Sequence, residues 1–402
     1  MSSKTAKEDR RKRRIKKKKR LLIIEIVILA VLCVAAFASH WVNRKLGLVN
    51  FESTNEDKLI TADEANENES AVDLSGKKII ALVGLDRRDG EEHNNSDTMI
   101  ICLLDHDKKT IKLASLYRDT YLNIGNDKYT KANAAYATGG PEQMLTMMNL
   151  NFDLNLEEYV TVNFQAVADA VELLGGVDIE LSRDEIKALN GLNNETSKVT
   201  GYDYNLLTVP SEEELPDGEY QLTHLDGSQA LSYARIRYTA GNDFRRTARQ
   251  RVLIEKILEK MKNSSASTVD AVLEKVLPQV ETNISKKEIL SMVEPVLSYK
   301  ISDTTGFPFD HYEDDGSVTD LTCVIPVTLE TNAEKLHEFL FPDESYTPSE
   351  TVRKYSEHIS DETGLTEEDI PESSADGELP WNPEYSGGEQ VSSSSNTESS
   401  SE

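Results

Sequence analysis

Cysteine is scarce in this 402-residue chain, with only Cys33, Cys102 and Cys323. Three thiols cannot build a disulfide framework. None stands at metal-ligand spacing, and a Cys102–Cys323 bridge is not expected. Basic residues are scarce beyond residue 42, where 32 Lys and Arg face 68 Asp and Glu, a net charge of −36. That balance excludes nucleic acid and anionic lipid as general partners. Lys and Arg are absent altogether from Tyr355 to Glu402, which carries 13 acidic residues and ends in serine-rich sequence. Such a segment buries too little apolar surface to fold and reads as disordered.

What is present begins at the N-terminus. Twelve basic residues lie between Lys4 and Arg20, against Glu8 and Asp9, and the 22-residue apolar run Leu21–Val42 follows. As a helix that run spans roughly 33 Å, enough to cross a hydrocarbon core. Glu25 lies one turn from Arg20 and reaches the headgroups, and Trp41 suits the outer interface. The basic flank sets this end inside. A cleaved signal peptide is the weaker reading, because the run exceeds a signal core and Ala36, Ala38 and Ser39 form a poor cleavage pattern. The chain is therefore expected to divide into a basic cytoplasmic tail (1–20), a transmembrane helix (21–42), an extracytoplasmic stalk (43–76), a folded domain (77–345) and an acidic disordered tail (346–402).

Within the domain, Lys78–Gly84, Thr98–Leu104 and Thr110–Leu116 read as strands, the last two joined as a hairpin through Asp105–Lys108. Pro141 opens a helix to Leu150. Tyr159–Val162 and Val177–Leu181 read as strands around an amphipathic helix, Phe164–Leu174. Asn190–Asp217 reads as an irregular surface excursion. Gly227–Arg235 and Asp243–Met261 read as helices, Leu273–Tyr299 as broken helical pattern, Leu321–Val327 as a strand and Ala333–Leu340 as a helix. This order predicts an α/β domain with helices covering a sheet.

The chemistry concentrates in two places. Six arginines occupy residues 235 to 251, with Asp243 the only acid among them. Arginine suits bidentate phosphate recognition, and Arg246 and Gln250 share a helix face near its N-terminus, where anions are favoured. Surface ion pairing accounts equally well for any single arginine of the set. Asp86 and Asp97 sit at adjacent strand edges, a donor type Mg²⁺ accepts alongside phosphate oxygens. Turn-forming aspartates are the plainer explanation of that pair. Arg118, ending the third strand, lies at the same rim, where ligands of open α/β sheets collect.

The runs GLDRRDG, NNSDTMIICLLDHDKKTIKLASLYRDTYLNI, KANAAYATGGPE, YVTVNFQAVADAVELLGGVDIEL and LDGSQALSYARIRYTAGNDFRRTARQR occur in that order. Over residues 77–262 they resemble the LytR-CpsA-Psr family, whose members transfer a glycopolymer such as teichoic acid or capsule from a polyprenyl (pyro)phosphate carrier to peptidoglycan. The resemblance implies a mixed β-sheet flanked by helices in an α-β-α arrangement, preceded by one transmembrane helix, in a Gram-positive-type cell membrane. It also implies Mg²⁺ (or Mn²⁺) on Asp86 and Asp97, and pyrophosphate binding by Arg118, Lys131, Arg235, Arg237, Arg246 and Gln250. Asp243 joins Arg118, Arg235, Arg237 and Arg246 as a catalytic candidate; the general base is either Asp243 or a metal-polarised hydroxyl. Helix Phe164–Leu174 would border a tunnel for the lipid tail. Two departures stand out: Asn95 replaces a common arginine, whose place Arg87 or Arg88 could take, and Tyr117 replaces a common proline. A polyprenyl-phosphate carrier or an envelope regulator without transferase activity are the alternatives. Direct DNA binding is not expected, because the basic tail lacks a helix-turn-helix pattern.

Overall fold

A computed structural model describes residues 41–53, 58–65, 74–85, 95–203, 205–237, 242–289 and 298–370. The predicted strands appear as β2 (Lys77–Leu85), β3 (Ser96–Asp105) and β4 (Thr110–Leu116), with β7 (Tyr159–Asn163) and β8 (Val177–Ser182). A seven-stranded mixed sheet runs in the order β1-β10-β7-β2-β3-β4-β11, where β1 is Asn50–Phe51, β10 is Val280–Thr282 and β11 is Lys300–Phe307. Antiparallel pairs join β2 to β3 and β3 to β4, while β2–β7 and β4–β11 are parallel. The α/β class and the mixed sheet are thus observed.

Strand alternation sends side chains to both faces, so both must be covered. Ile79, Ala81, Val83 and Leu85 of β2 join Met99, Ile101 and Leu103 of β3 in one core. That core is covered by α1 (Ala134–Phe152), α7 (Leu329–Leu340) and α8 (Glu350–Thr363). Ile80, Ile100, Cys102 and Leu113 face the other side, against Ile254 of α5 (Asn242–Asn263). A satellite core joins β8 and β9 (Tyr220–Leu225) to α2 (Phe164–Leu173), α3 (Arg183–Thr200), α4 (Gly227–Ala234) and Leu253 of α5. Inside α1, Gly139 and Gly140 break the helical geometry and Pro141 opens the continuing segment, the start expected from sequence. Cys102 and Cys323 are both free and buried.

Four expectations are corrected. Residues 190–200 belong to α3: Asn193 and Thr196 are fully buried, and Asn193 bonds the Asn205 carbonyl and Ser228, so its polar residues face inward. The range from Leu273 is not helical throughout: α6 (Ala266–Val276) ends, β10 enters the sheet between β1 and β7, and helix resumes at residues 286–289. The stalk is attached to the domain wherever it is described: Ala62 is buried and β1 pairs with β10. Order also continues past 345, because Ile359 of α8 reaches the main core and Ser349 and Tyr346 satisfy the buried Asp153 carboxylate. An acidic average hid that one-sided apolar stripe. Among the described residues no helix is long and apolar enough to cross a membrane; residues 21–40 lie outside them.

Candidate active site

The site forms on the rim where β2 and β4 end and β3 begins. Register brings Leu85 opposite Ser96 and Gly84 opposite Thr98, leaving Asp97 as the extra residue of a β-bulge. A bulge bends the strand and re-aims a side chain. Gly84 permits the close pairing there, since a Cβ on it would stand 2.9 Å from Thr98 Cβ.

Three arginines converge on Asp97. Arg118 Nη1 donates to Asp97 Oδ1, Arg237 Nη2 lies 3.8 Å from the same oxygen, and Arg246 Nη2 donates to the Asp97 carbonyl at 2.8 Å. They come from the end of β4, the loop after α4 and the first turns of α5, segments far apart in sequence. Arg246 is buried, held at 2% exposure. Lys131 ends β6 (Tyr129–Lys131), which pairs with β5 (Tyr121–Asn123), and its Nζ lies 3.3 Å from Asp119 Oδ1. Asp119 Oδ2 is 3.5 Å from Arg118 Nε. Among the described residues, Arg118, Arg237 and Lys131 thus face two carboxylates and Arg246 a main-chain carbonyl, a local surplus of positive charge in a strongly acidic domain. Such a surplus binds anions, and the planar arginine forks suit phosphate oxygens.

The remaining arginines do other work. Arg235 is held by other groups: its Nη2 is 2.9 Å from Glu195 Oε1, its Nη1 donates to Thr196 Oγ1 at 3.1 Å, and its guanidinium sits 5.5 Å from the Phe164 ring centre. Arg249 is buried, pairing with Glu185 at 2.8 Å and donating to the Ile236 carbonyl. It ties α5 to the capped start of α3 and fixes the backbone beside Arg237. Gln250 Nε2 lies 3.5 Å from the Ala234 carbonyl, and its Oε1 is buried without a hydrogen-bond partner among the described residues. Asp86, Arg87, Arg88 and the Asp243 side chain lie outside the described residues. Among the described residues no three carboxylate, histidine or cysteine side chains gather as a metal cage.

Tyr117 and Phe244, the chain neighbours of Arg118 and Arg245, join an aromatic floor with His311. Phe244 meets Tyr117 at 4.6 Å in an edge-on contact and His311 at 4.5 Å. Burial pushes the His311 imidazole below its ordinary pKa. Tyr117, standing where the resemblance predicts proline, fits because residue 306 is glycine: a Cβ there would lie 2.0 Å from the Tyr117 hydroxyl. Asp119, Glu185 and the aromatic floor were not singled out from sequence. Asp119 adjoins Arg118, but its second partner arrives only through the Tyr121–Lys131 register.

An α/β fold with an arginine-rich anion site on one sheet rim is the class that the geometry defines. The LytR_cpsA_psr family model matches residues 47–319, and the chain belongs to that family. It is 27% identical over 271 residues to the polyisoprenyl-teichoic acid–peptidoglycan teichoic acid transferase TagV of Bacillus subtilis, covering 66% of this chain and 64% of that protein. It is 31% identical over 223 residues to the corresponding transferase TagU of Enterococcus faecalis, covering 54% and 65%. The matched regions thus span slightly less than two thirds of these relatives' own lengths. Among solved structures, a transcriptional regulator from Enterococcus faecalis superposes with a TM-score of 0.52 at 20% identity, over 73% of this chain and 98% of that one. A protein from Streptococcus agalactiae gives 0.50 at 23% identity, over 70% and 94%. These two likenesses support the fold.

Proposed function

We propose that this protein is a membrane-anchored phosphotransferase that moves a glycopolymer, teichoic acid or a capsular or wall polysaccharide, from a polyprenyl (pyro)phosphate carrier to peptidoglycan. The observation that carries this is the convergence of Arg118, Arg237 and Arg246 on Asp97, beside Lys131. The transferase relatives support the same reading. In the proposed topology, residues 21–42 span the membrane once, the N-terminus is cytoplasmic and the domain is extracytoplasmic.

A peptidoglycan hydroxyl attacks the sugar-linked phosphorus. One P–O bond forms, the P–O bond to the bridging oxygen breaks, polyprenyl phosphate leaves and the hydroxyl proton departs to a base. Little covalent work falls to the protein; positioning and charge neutralisation dominate. Arg118, Arg237, Arg246 and Lys131 bind the phosphoryl oxygens, exchanging Asp97 and Asp119 for substrate. Arg235 joins them by leaving Glu195, and Gln250 offers its amide. Asp97 and Asp86 would hold Mg²⁺ or Mn²⁺, and the ion would neutralise phosphate charge. Asp243 would take the hydroxyl proton, unless a bound ion would polarise that hydroxyl itself.

The test incubates the full chain in detergent with a polyprenyl-pyrophosphoryl glycopolymer, Mg²⁺ and peptidoglycan oligomers. The expected result is a covalent polymer–peptidoglycan product that EDTA abolishes. Lipid binding without product favours a carrier instead.

A further inference from the structure

The chain reaches the domain without slack. Residues 41–46 form a helical turn whose Trp41, Arg44 and Lys45 share one face. Trp41 Nε1 donates to Asp270 Oδ1 at 2.6 Å. Lys45, only 4% exposed, places its ammonium 2.9 Å from Asp270 Oδ1, donates to the Asp270 carbonyl at 3.1 Å and pairs with Glu274. Arg44 Nη2 lies 3.0 Å from Glu274 Oε1. Asp270 and Glu274 are one turn apart on α6, so the contact joins two helical faces. Leu46 and Val49 are buried next, Asn50 bonds the Pro278 carbonyl at 2.9 Å, β1 pairs with β10, and the Glu52 amide donates to the Thr282 carbonyl at 3.0 Å. Attachment is continuous from residue 41 to residue 52. The apolar run ends at Val42, inside this clasp.

Resting on the reading of residues 21–42 as the anchor, we infer that Trp41–Glu52 is a rigid seat that turns the β1 edge of the sheet toward the outer leaflet, making this edge a lipid-facing surface. Lys286 and Lys287 are exposed on the segment after β10, and Lys286 lies 4.9 Å from the Phe51 ring centre. These two lysines stand beside Glu281 and Glu288, so the orientation rests on the clasp rather than on net charge. Trp41 is half-buried, the placement of an interfacial tryptophan. Seven strands at roughly 4.8 Å spacing put the β11 edge about 29 Å from β1, and β3 with Asp97 about 19 Å from it. The seat therefore fixes both the orientation and the standoff of the arginine site.

The test reconstitutes the full chain carrying Cys33→Ala in phosphatidylcholine vesicles containing phosphatidylglycerol. A fluorophore is attached through Ala271→Cys on α6 or Ser302→Cys on β11, both exposed positions, while Cys102 and Cys323 stay buried. Headgroup-level nitroxide lipid is expected to quench the label at 271 strongly and the label at 302 little. Lys45→Glu abolishes the difference, and pairing it with Asp270→Lys restores it, which separates loss of the seat from misfolding. Retention on the vesicles with equal quenching at both positions overturns the seat alone, as does an unchanged pattern in Lys45→Glu. Release of the wild-type chain by an alkaline wash overturns the seat together with the anchor.

Discussion

At the scale of single residues, the arginine island divides by partner. Arg237 faces Asp97, so Arg237→Ala is expected to lower transfer by about 10²-fold, the size of losing one transition-state charge contact. The measurement is kcat/KM with lipid-linked substrate, beside a thermal melt that stays unchanged. Arg235 rests on Glu195, and an equal loss in Arg235→Ala would show that substrate draws it away. Asp119 positions Arg118 and Lys131. Asp119→Asn is expected to raise the KM for the lipid substrate by about tenfold, roughly 1.4 kcal/mol, while kcat changes less. Asp119→Glu recovers part of that loss. Arginine clustering was legible because Arg-rich sequence is rare in so acidic a chain. The partners were not: Glu195 and Glu185 become neighbours of Arg235 and Arg249 only after α3 packs.

Among the elements, the regular strands and the helices with clear apolar stripes could be read directly, as β2, β3 and β4 show. The short strands could not. β10 is three residues long and owes its pairing to the β7 edge, which no local pattern announces. β13 (Thr322–Pro326) could be read as a strand, but its partner β12 (His311–Asp315) could not, because their pairing depends on a turn organised by Asp314. Burial alone would raise the Asp314 carboxyl, but bonds from the Thr319 hydroxyl and the backbone amides of Thr319, Val318 and Gly316 outweigh it and bring the pKa down to about 2. A depressed carboxyl stabilises the fold above its ordinary pKa and loses that contribution as pH falls through the folded value. Urea melts between about pH 5 and about pH 2 should therefore fall more steeply for the wild type than for Asp314→Asn.

For the whole molecule, the domain's limits were the least legible feature. Average acidity marked residues beyond 345 and before 77 as unfoldable, yet a few buried side chains in each segment decide the matter. A chain ending at residue 345 leaves the Asp153 carboxylate buried without Tyr346 and Ser349. It is expected to lose about 3 kcal/mol, roughly 5–10 °C in melting temperature, whereas a chain ending at 370 melts as the full chain does. Scanning calorimetry on the two truncations checks this.

The Lys45 clasp carries a consequence for the order of assembly. Lys45 and the Asp270 carbonyl are 225 residues apart. Once synthesised, Lys45 finds no partner until most of the ribosome's work on this chain is done, and β1 likewise waits for β10. Closing so long a loop is slow and comes after local pairing such as β3 with β4. Residues 41–52 emerge before the rest of the domain yet are among the last to settle in it, and pulse-labelled hydrogen exchange should find the Glu52 amide protected after the central hairpin.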